Sequence, residues 1–261
     1  MRHDGLRLSA ALLLAVLLSA LLRPLATGET VDYRVMARYP HDLQAFTQGL
    51  YYEAAAGVLY ESVGRYGLSD VRKVDLKTGQ VLQQKRLPAQ FFAEGLTVWN
   101  HKIFVLTWRE KLGLVLDQAS LEQLGTFRYD TQGWGLTHDA SHLIMSDGSA
   151  SLSFLDPETF QVVRRVVVRE GNQPVALLNE LEWVNGELYA NIWRSTDIVV
   201  INPSTGQVKR RLSLSGLVAE QRGRDVLNGI AYDPQQRLWF VTGKLWSALY
   251  AVEWRYASEI H

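Results

Sequence analysis

A carboxyl at Glu94, carboxamides at Gln48, Asn179 and Asn228 and an indole at Trp134 hold the same place in five look-alike segments. These are Thr47-Gln48-Gly49-Leu50, Phe92-Ala93-Glu94-Gly95-Leu96, Gly133-Trp134-Gly135-Leu136, Asn179-Glu180-Leu181 and Asn228-Gly229-Ile230, spaced 40 to 49 residues apart. An acid set among aromatic and small residues acquires a raised pKa if it is buried, which fits it for proton transfer. A second group, Trp108, Trp193, Asp147 and Lys244, follows short apolar runs within the same units. Indole walls with a few converging polar groups are the usual make-up of a small-molecule pocket. Each member also has a plainer reading. Trp134 suits core packing, Asn179 and Asn228 suit turns, Asp147-Gly148 reads as a turn, and Lys244 suits a solvated strand end. Glu94 is the hardest to explain in that way.

A recurrence near 45 residues means a repeat architecture. Between the recurring segments the chain repeats four short apolar runs separated by Gly, Pro, Asn and Asp turns such as Lys77-Thr78-Gly79-Gln80, Asp156-Pro157-Glu158-Thr159 and Asn202-Pro203-Ser204-Thr205-Gly206. Four-strand units of this kind predict a β-propeller. The fifth unit lacks its last strand, and the alternating stretch 31–38 is free to supply it. The expected fold is therefore all-β, a five-bladed β-propeller whose fifth blade is closed by the N-terminal strand. A β-sandwich is the alternative, but it predicts no such period. The first strand of each blade lines a central channel, so the five special residues, placed one step before those strands, should meet around one mouth.

Composition narrows the function classes. Lysine plus arginine and aspartate plus glutamate number 27 each, so there is no basic excess for nucleic acid. Hydrophobic residues at 47% support a large core. The absence of cysteine excludes disulfides, thiolate nucleophiles and thiolate metal sites. Residues 1–28 read as a secretory signal peptide: Arg2, His3 and Arg7 precede an apolar run at 8–22, and Ala26-Thr27-Gly28 offers a cleavage point. The run of about 15 residues is short of the ~20 that span a bilayer. The expected mature domain is 29–261, exported to a periplasm or the exterior, with no stable membrane association once the signal is removed.

Ordered along residues 40–254, the motifs Phe46-Thr47-Gln48-Gly49-Leu50, Glu94-Gly95-Leu96-Thr97, Gly133-Trp134-Gly135-Leu136-Thr137, Ser146-Asp147-Gly148-Ser149, Leu178-Asn179-Glu180-Leu181-Glu182, Leu227-Asn228-Gly229-Ile230-Ala231 and Thr242-Gly243-Lys244-Leu245-Trp246 resemble those of the plant and bacterial type of glutaminyl-peptide cyclotransferase. The resemblance implies an enzyme that converts N-terminal glutamine of peptides or proteins to pyroglutamate and releases ammonia, without a catalytic metal or other cofactor; a monomer is the expected state. It places the proton shuttle on Glu94 and the substrate pocket on Phe46, Gln48, Phe92, Trp108, Trp134, Asn179, Trp193 and Lys244. Candidates to stabilise the developing oxyanion are the Trp134 indole, the Asn179 amide and Lys244. Two other classes fit the same residues. A metal-dependent, lactonase-like propeller hydrolase would use Glu94, Asn179 and Asn228 as oxygen donors to calcium, and a non-catalytic propeller would use the pocket only to bind.

Overall fold

A computed structural model of the chain describes residues 31–221 and 225–256. The signal-peptide stretch and the terminal residues of the expected mature domain lie outside the described residues. No helix among the described residues is long and apolar enough to cross a membrane.

The chain enters on β1 (Val31–Pro40) and then builds four-stranded blades in sequence. Blade one is β2 (Thr47–Glu53), β3 (Val58–Val63), β4 (Asp70–Asp75) and β5 (Val81–Arg86). Blade two is β6 (Ala93–Trp99), β7 (Lys102–Thr107), β8 (Leu112–Asp117) and β9 (Gln123–Arg128). Blade three is β10 (Leu136–His138), β11 (Leu143–Ser146), β12 (Ser151–Leu155) and β13 (Val162–Val167), followed by a small hairpin of β14 (Arg169–Glu170) and β15 (Gln173–Pro174). Blade four is β16 (Leu178–Val184), β17 (Glu187–Ile192), β18 (Asp197–Ile201) and β19 (Val208–Ser213), and a short helix α1 (Ser215–Glu220) leads onward. Blade five holds β20 (Leu227–Asp233), β21 (Leu238–Gly243) and β22 (Ala248–Tyr256), with β1 as its outer strand. β1 runs antiparallel to β22 from Val31 opposite Tyr256 to Pro40 opposite Ala248. The five-bladed propeller, and its closure by the N-terminal strand, are as the repeat predicts.

Burial explains why each run forms a strand of its kind. Inner strands such as β2 and β6 are buried along most of their length, polar residues included, while the outer strands β5 and β13 alternate half-buried and exposed positions. The turns between third and fourth strands share one device. Oδ1 of Asp75 accepts from Thr78 N–H at 2.8 Å and its hydroxyl at 2.7 Å, and Asp117 with Ser120 and Asp156 with Thr159 do the same. A side chain that replaces the turn's missing backbone bonds stops the strand there. The apolar core lies between blades: Tyr60 and Val71 of blade one pack with Leu96, Val105 and Leu116 of blade two.

A buried polar staple joins the last blade to the first. The His41 ring sits 3.0 Å from the Trp246 carbonyl and 3.1 Å from Glu61 Oε1, which also accepts from the Thr47 hydroxyl at 2.7 Å. Burial alone would depress the His41 pKa, but the adjacent Glu61 outweighs it and the net shift is upward. The staple holds the start of β2, the strand that carries Gln48.

Candidate active site

The special residues owe their direction to β-bulges. In blades one, two, four and five the pairing of first and second strands slips register between Thr47 and Gly49, Ala93 and Leu96, Leu178 and Leu181, and Leu227 and Ile230. A bulge leaves its extra residue unpaired and re-aims the side chain. Gln48, Glu94, Asn179 and Asn228 each fall in one of these slips. They therefore lie inside the inner strands, not one step before them as expected. Only Trp134 precedes its strand, β10, and there Trp134 N–H bonds to the Ser146 carbonyl at 3.0 Å.

The glycine after the special residue reflects crowding at the axis. A Cβ on Gly95 would lie 2.4 Å from Leu136 N, and one on Gly135 would lie 1.9 Å from the Asn179 carbonyl oxygen. Blade four breaks the pattern with Glu180. Its carboxyl reaches across the ring to Ile230 N–H at 2.8 Å and Leu50 N–H at 3.4 Å, so one side chain ties blades four, five and one. It is fully buried, and burial pushes its pKa well up.

At the mouth these elements enclose a cavity of about 300 Å³ lined by all nine of the residues assigned to the site from sequence. Five are aromatic: Phe46, Phe92, Trp108, Trp134 and Trp193. Phe46 meets Phe92 edge-on at 6.3 Å, Phe92 leads to Trp108 at 5.6 Å, and Trp134 meets Trp193 at 90° and 5.7 Å. Four are polar: Gln48, Glu94, Asn179 and Lys244.

Glu94 is 5% exposed, and among the described residues no group hydrogen-bonds its carboxyl. Burial raises its pKa well above the usual carboxylate value, with Lys244 opposing and Glu110 adding. Lys244 is 4% exposed and its pKa is lowered by burial, with Glu94 opposing. Its Nζ lies 4.7 Å from the centre of the Phe46 ring. An acid whose pKa rises and an amine whose pKa falls form a pair in which a proton is cheaply moved. The Asn179 Oδ1 is buried without a partner, which calls for a donor from a ligand or a water.

Two expectations change. Asn228 is not part of the lining: its Nδ2 donates to the Thr47 carbonyl at 3.0 Å and lies 3.5 Å from Gln48 Oε1, so it positions Gln48 from behind. The Trp134 indole is not a free donor either, because its N–H already bonds to Gln132 Oε1 at 3.1 Å. The same oxygen accepts the Trp108 indole N–H at 2.7 Å. Gln132 thus clamps two cavity walls from two blades. Its only sequence signal is a lone amide ahead of Gly133-Trp134-Gly135. Asp147 keeps the plain reading, since its Oδ1 caps its own turn through Ser149 N–H at 2.9 Å.

Gln132→Leu removes the shared acceptor while keeping bulk, so both indoles lose their anchor. KM for a Gln-initiated peptide is expected to rise about tenfold and kcat to fall less, since the lost bonds act on binding geometry. Unchanged KM together with an unchanged near-UV circular dichroism spectrum would show that packing alone holds the indoles.

Comparison with known proteins agrees with this geometry. The sequence profile described as glutamine cyclotransferase matches residues 8–254. A glutaminyl-peptide cyclotransferase of Arabidopsis thaliana is 41% identical over 233 residues, covering 87% of this chain and 72% of its own. The crystal structure of Myxococcus xanthus glutaminyl cyclase superposes with a TM-score of 0.82 at 36% identity, over 88% of this chain and 99% of that one. A profile that spans nearly the whole propeller, and relatives alike in both sequence and structure, give the same answer: the chain belongs to the glutamine cyclotransferase family.

Proposed function

We propose that the chain is a glutaminyl cyclase that closes the N-terminal glutamine of peptides to pyroglutamate, with Glu94 as the proton shuttle. The observation that carries this reading is a buried carboxyl of raised pKa, unbonded by the described residues, facing an aromatic cavity beside Lys244. The substrate's α-amine attacks the γ-carbonyl carbon of its own side chain, and a C–N bond forms to close the ring. The amine's proton passes to the Glu94 carboxylate. The tetrahedral intermediate then expels the amide nitrogen, which takes that proton from Glu94 and departs as ammonia.

Because both reacting groups belong to one residue, folding the side chain into a near-attack conformer supplies much of the rate. The aromatic walls hold that conformer and exclude water. A raised pKa suits an acid that must take a proton and return it within one turnover. The oxyanion draws on the Asn179 amide or the Lys244 ammonium, the two of the three candidate donors left once the Trp134 N–H is engaged. Gln48, held by Asn228, binds the substrate's amine or amide.

Ammonia release from a Gln-initiated dipeptide, with and without chelator, tests the reading. The expected result is stoichiometric ammonia and pyroglutamyl product at an undiminished rate in chelator. Loss of activity in chelator would favour a metal-dependent hydrolase, and peptide retained unchanged would favour a binding module. We also propose that residues 1–28 direct export and that the mature enzyme acts as a monomer. The charged-then-apolar order of the leader supports the first, and N-terminal sequencing of secreted protein checks it.

A further inference from the structure

We infer that three arginines around the cavity form a subsite for acidic residues following the N-terminal glutamine, an inference that rests on the cyclase reading. Each guanidinium stacks on a different wall of the cavity. Arg65 lies 5.2 Å from the Phe46 ring centre, Arg109 3.8 Å from that of Trp108, and Arg194 4.3 Å from that of Trp193. The placement follows from sequence, since Arg109 and Arg194 directly succeed Trp108 and Trp193, the first residues after β7 and β17. Arg194 takes a positive φ of 65°, which turns the chain at that strand end.

The charges are available. Arg109 and Arg194 are exposed and Arg65 is half-buried. Among the described residues none of the three guanidinium groups enters an ion pair or a hydrogen bond, the Ser69 hydroxyl bonding Arg65 through its backbone alone. The carboxylates nearby bond to other groups, although Glu110 Oε2 is buried without a partner. Glu110 Oε1 accepts the Tyr66 hydroxyl at 2.8 Å, Asp147 caps its turn, and Asp225 accepts from Val226 N–H at 2.7 Å. An arginine stacked on a ring is held in place, and the donors on its in-plane edge remain free for a carboxylate. The glutamine must sit deep, against Glu94, so the rest of the peptide leaves between the aromatic walls and passes these edges. Positive potential at such a mouth steers and retains acidic chains.

The test compares three amidated tripeptides, Gln-Asp-Ala, Gln-Asn-Ala and Gln-Lys-Ala, whose blocked C-termini remove the competing carboxylate. Exposed pairs are weak singly, so the expected kcat/KM for the Asp over the Asn peptide is about five- to tenfold, carried by KM and shrinking in high salt. The Lys peptide should be the poorest. In the double variant R109Q/R194N, where Asn tolerates the positive φ at 194, only the half-buried Arg65 is left and the Asp-to-Asn ratio should fall to about twofold or less. A wild-type ratio near one, or a ratio that survives in a folded double variant, overturns the subsite. Failure to cyclise even the neutral Asn peptide overturns the cyclase reading and this inference with it, and the two failures are thereby told apart.

Discussion

Glu94→Gln is expected to lower kcat for Gln-initiated peptides about a thousandfold, the scale on which a positioned acid–base group contributes. The substitution keeps size and shape at a position 5% exposed, so the propeller should form unchanged. Glutamine can accept and donate hydrogen bonds but cannot take up the amine's proton, so KM should change much less than kcat. The stability of the variant carries a second signature. The folded-state pKa of Glu94 lies above its unfolded value near 4.5, so the folded protein holds that proton the more tightly. The resulting stabilisation is complete below pH 4.5 and is lost as pH rises through the raised folded value. The variant has no proton to lose there. Wild type should therefore lose melting temperature relative to E94Q as pH is raised, when the two are compared by calorimetry. Lys244 should respond as well, because the glutamine no longer offsets the burial that depresses its pKa. Near-normal turnover in E94Q would remove Glu94 from the chemistry.

Much of this arrangement is legible in the chain before any coordinates. The repeat near 45 residues, the Asp or Asn that opens each third-to-fourth-strand turn and the missing last strand are all local features, and together they dictate five blades closed by 31–38. The cavity lining follows because a propeller brings equivalent positions of different blades to one place. What could not be read depends on contacts between blades. Asn228 and Asn179 sit in equivalent one-residue slips, yet Asn228 donates to the Thr47 carbonyl of the next blade while Asn179 lines the cavity, and no property of Asn228 itself foretells this. Gln132 reaches two indoles whose positions are set by separate strands. Glu180 replaces the expected glycine and fills the axis, which only the close packing of the inner strands explains. The arginines look like ordinary surface charges until the rings beneath them are located.

Gly135→Ala is expected to be the most damaging of the small substitutions. Its φ is not in the left-handed region, so the requirement is for space alone. The added methyl would lie 1.9 Å from the Asn179 carbonyl oxygen, 2.7 Å from Asn179 C and 2.9 Å from Glu180 Cα. All three atoms are backbone of the adjoining inner strand, so no side chain can rotate to make room and the two blades must separate. Overpacking a core typically costs 1–3 kcal/mol, and a clash with rigid backbone should reach the top of that range, about 3 kcal/mol. At roughly 2–4 °C per kcal/mol for a domain of this size, the melting temperature should fall by about 10 °C. Gly125→Ala supplies the control, since nothing lies within 4 Å of its added methyl, and its melting temperature should hold. Activity should fall further than stability. The clash displaces Trp134 and Asn179 together, and both line the cavity, so kcat/KM should drop about a hundredfold at temperatures where the variant is still folded. A G135A protein that melts with wild type and turns over normally would mean that the inner strands are not in contact at this point. The convergence of the five special residues would then need another cause.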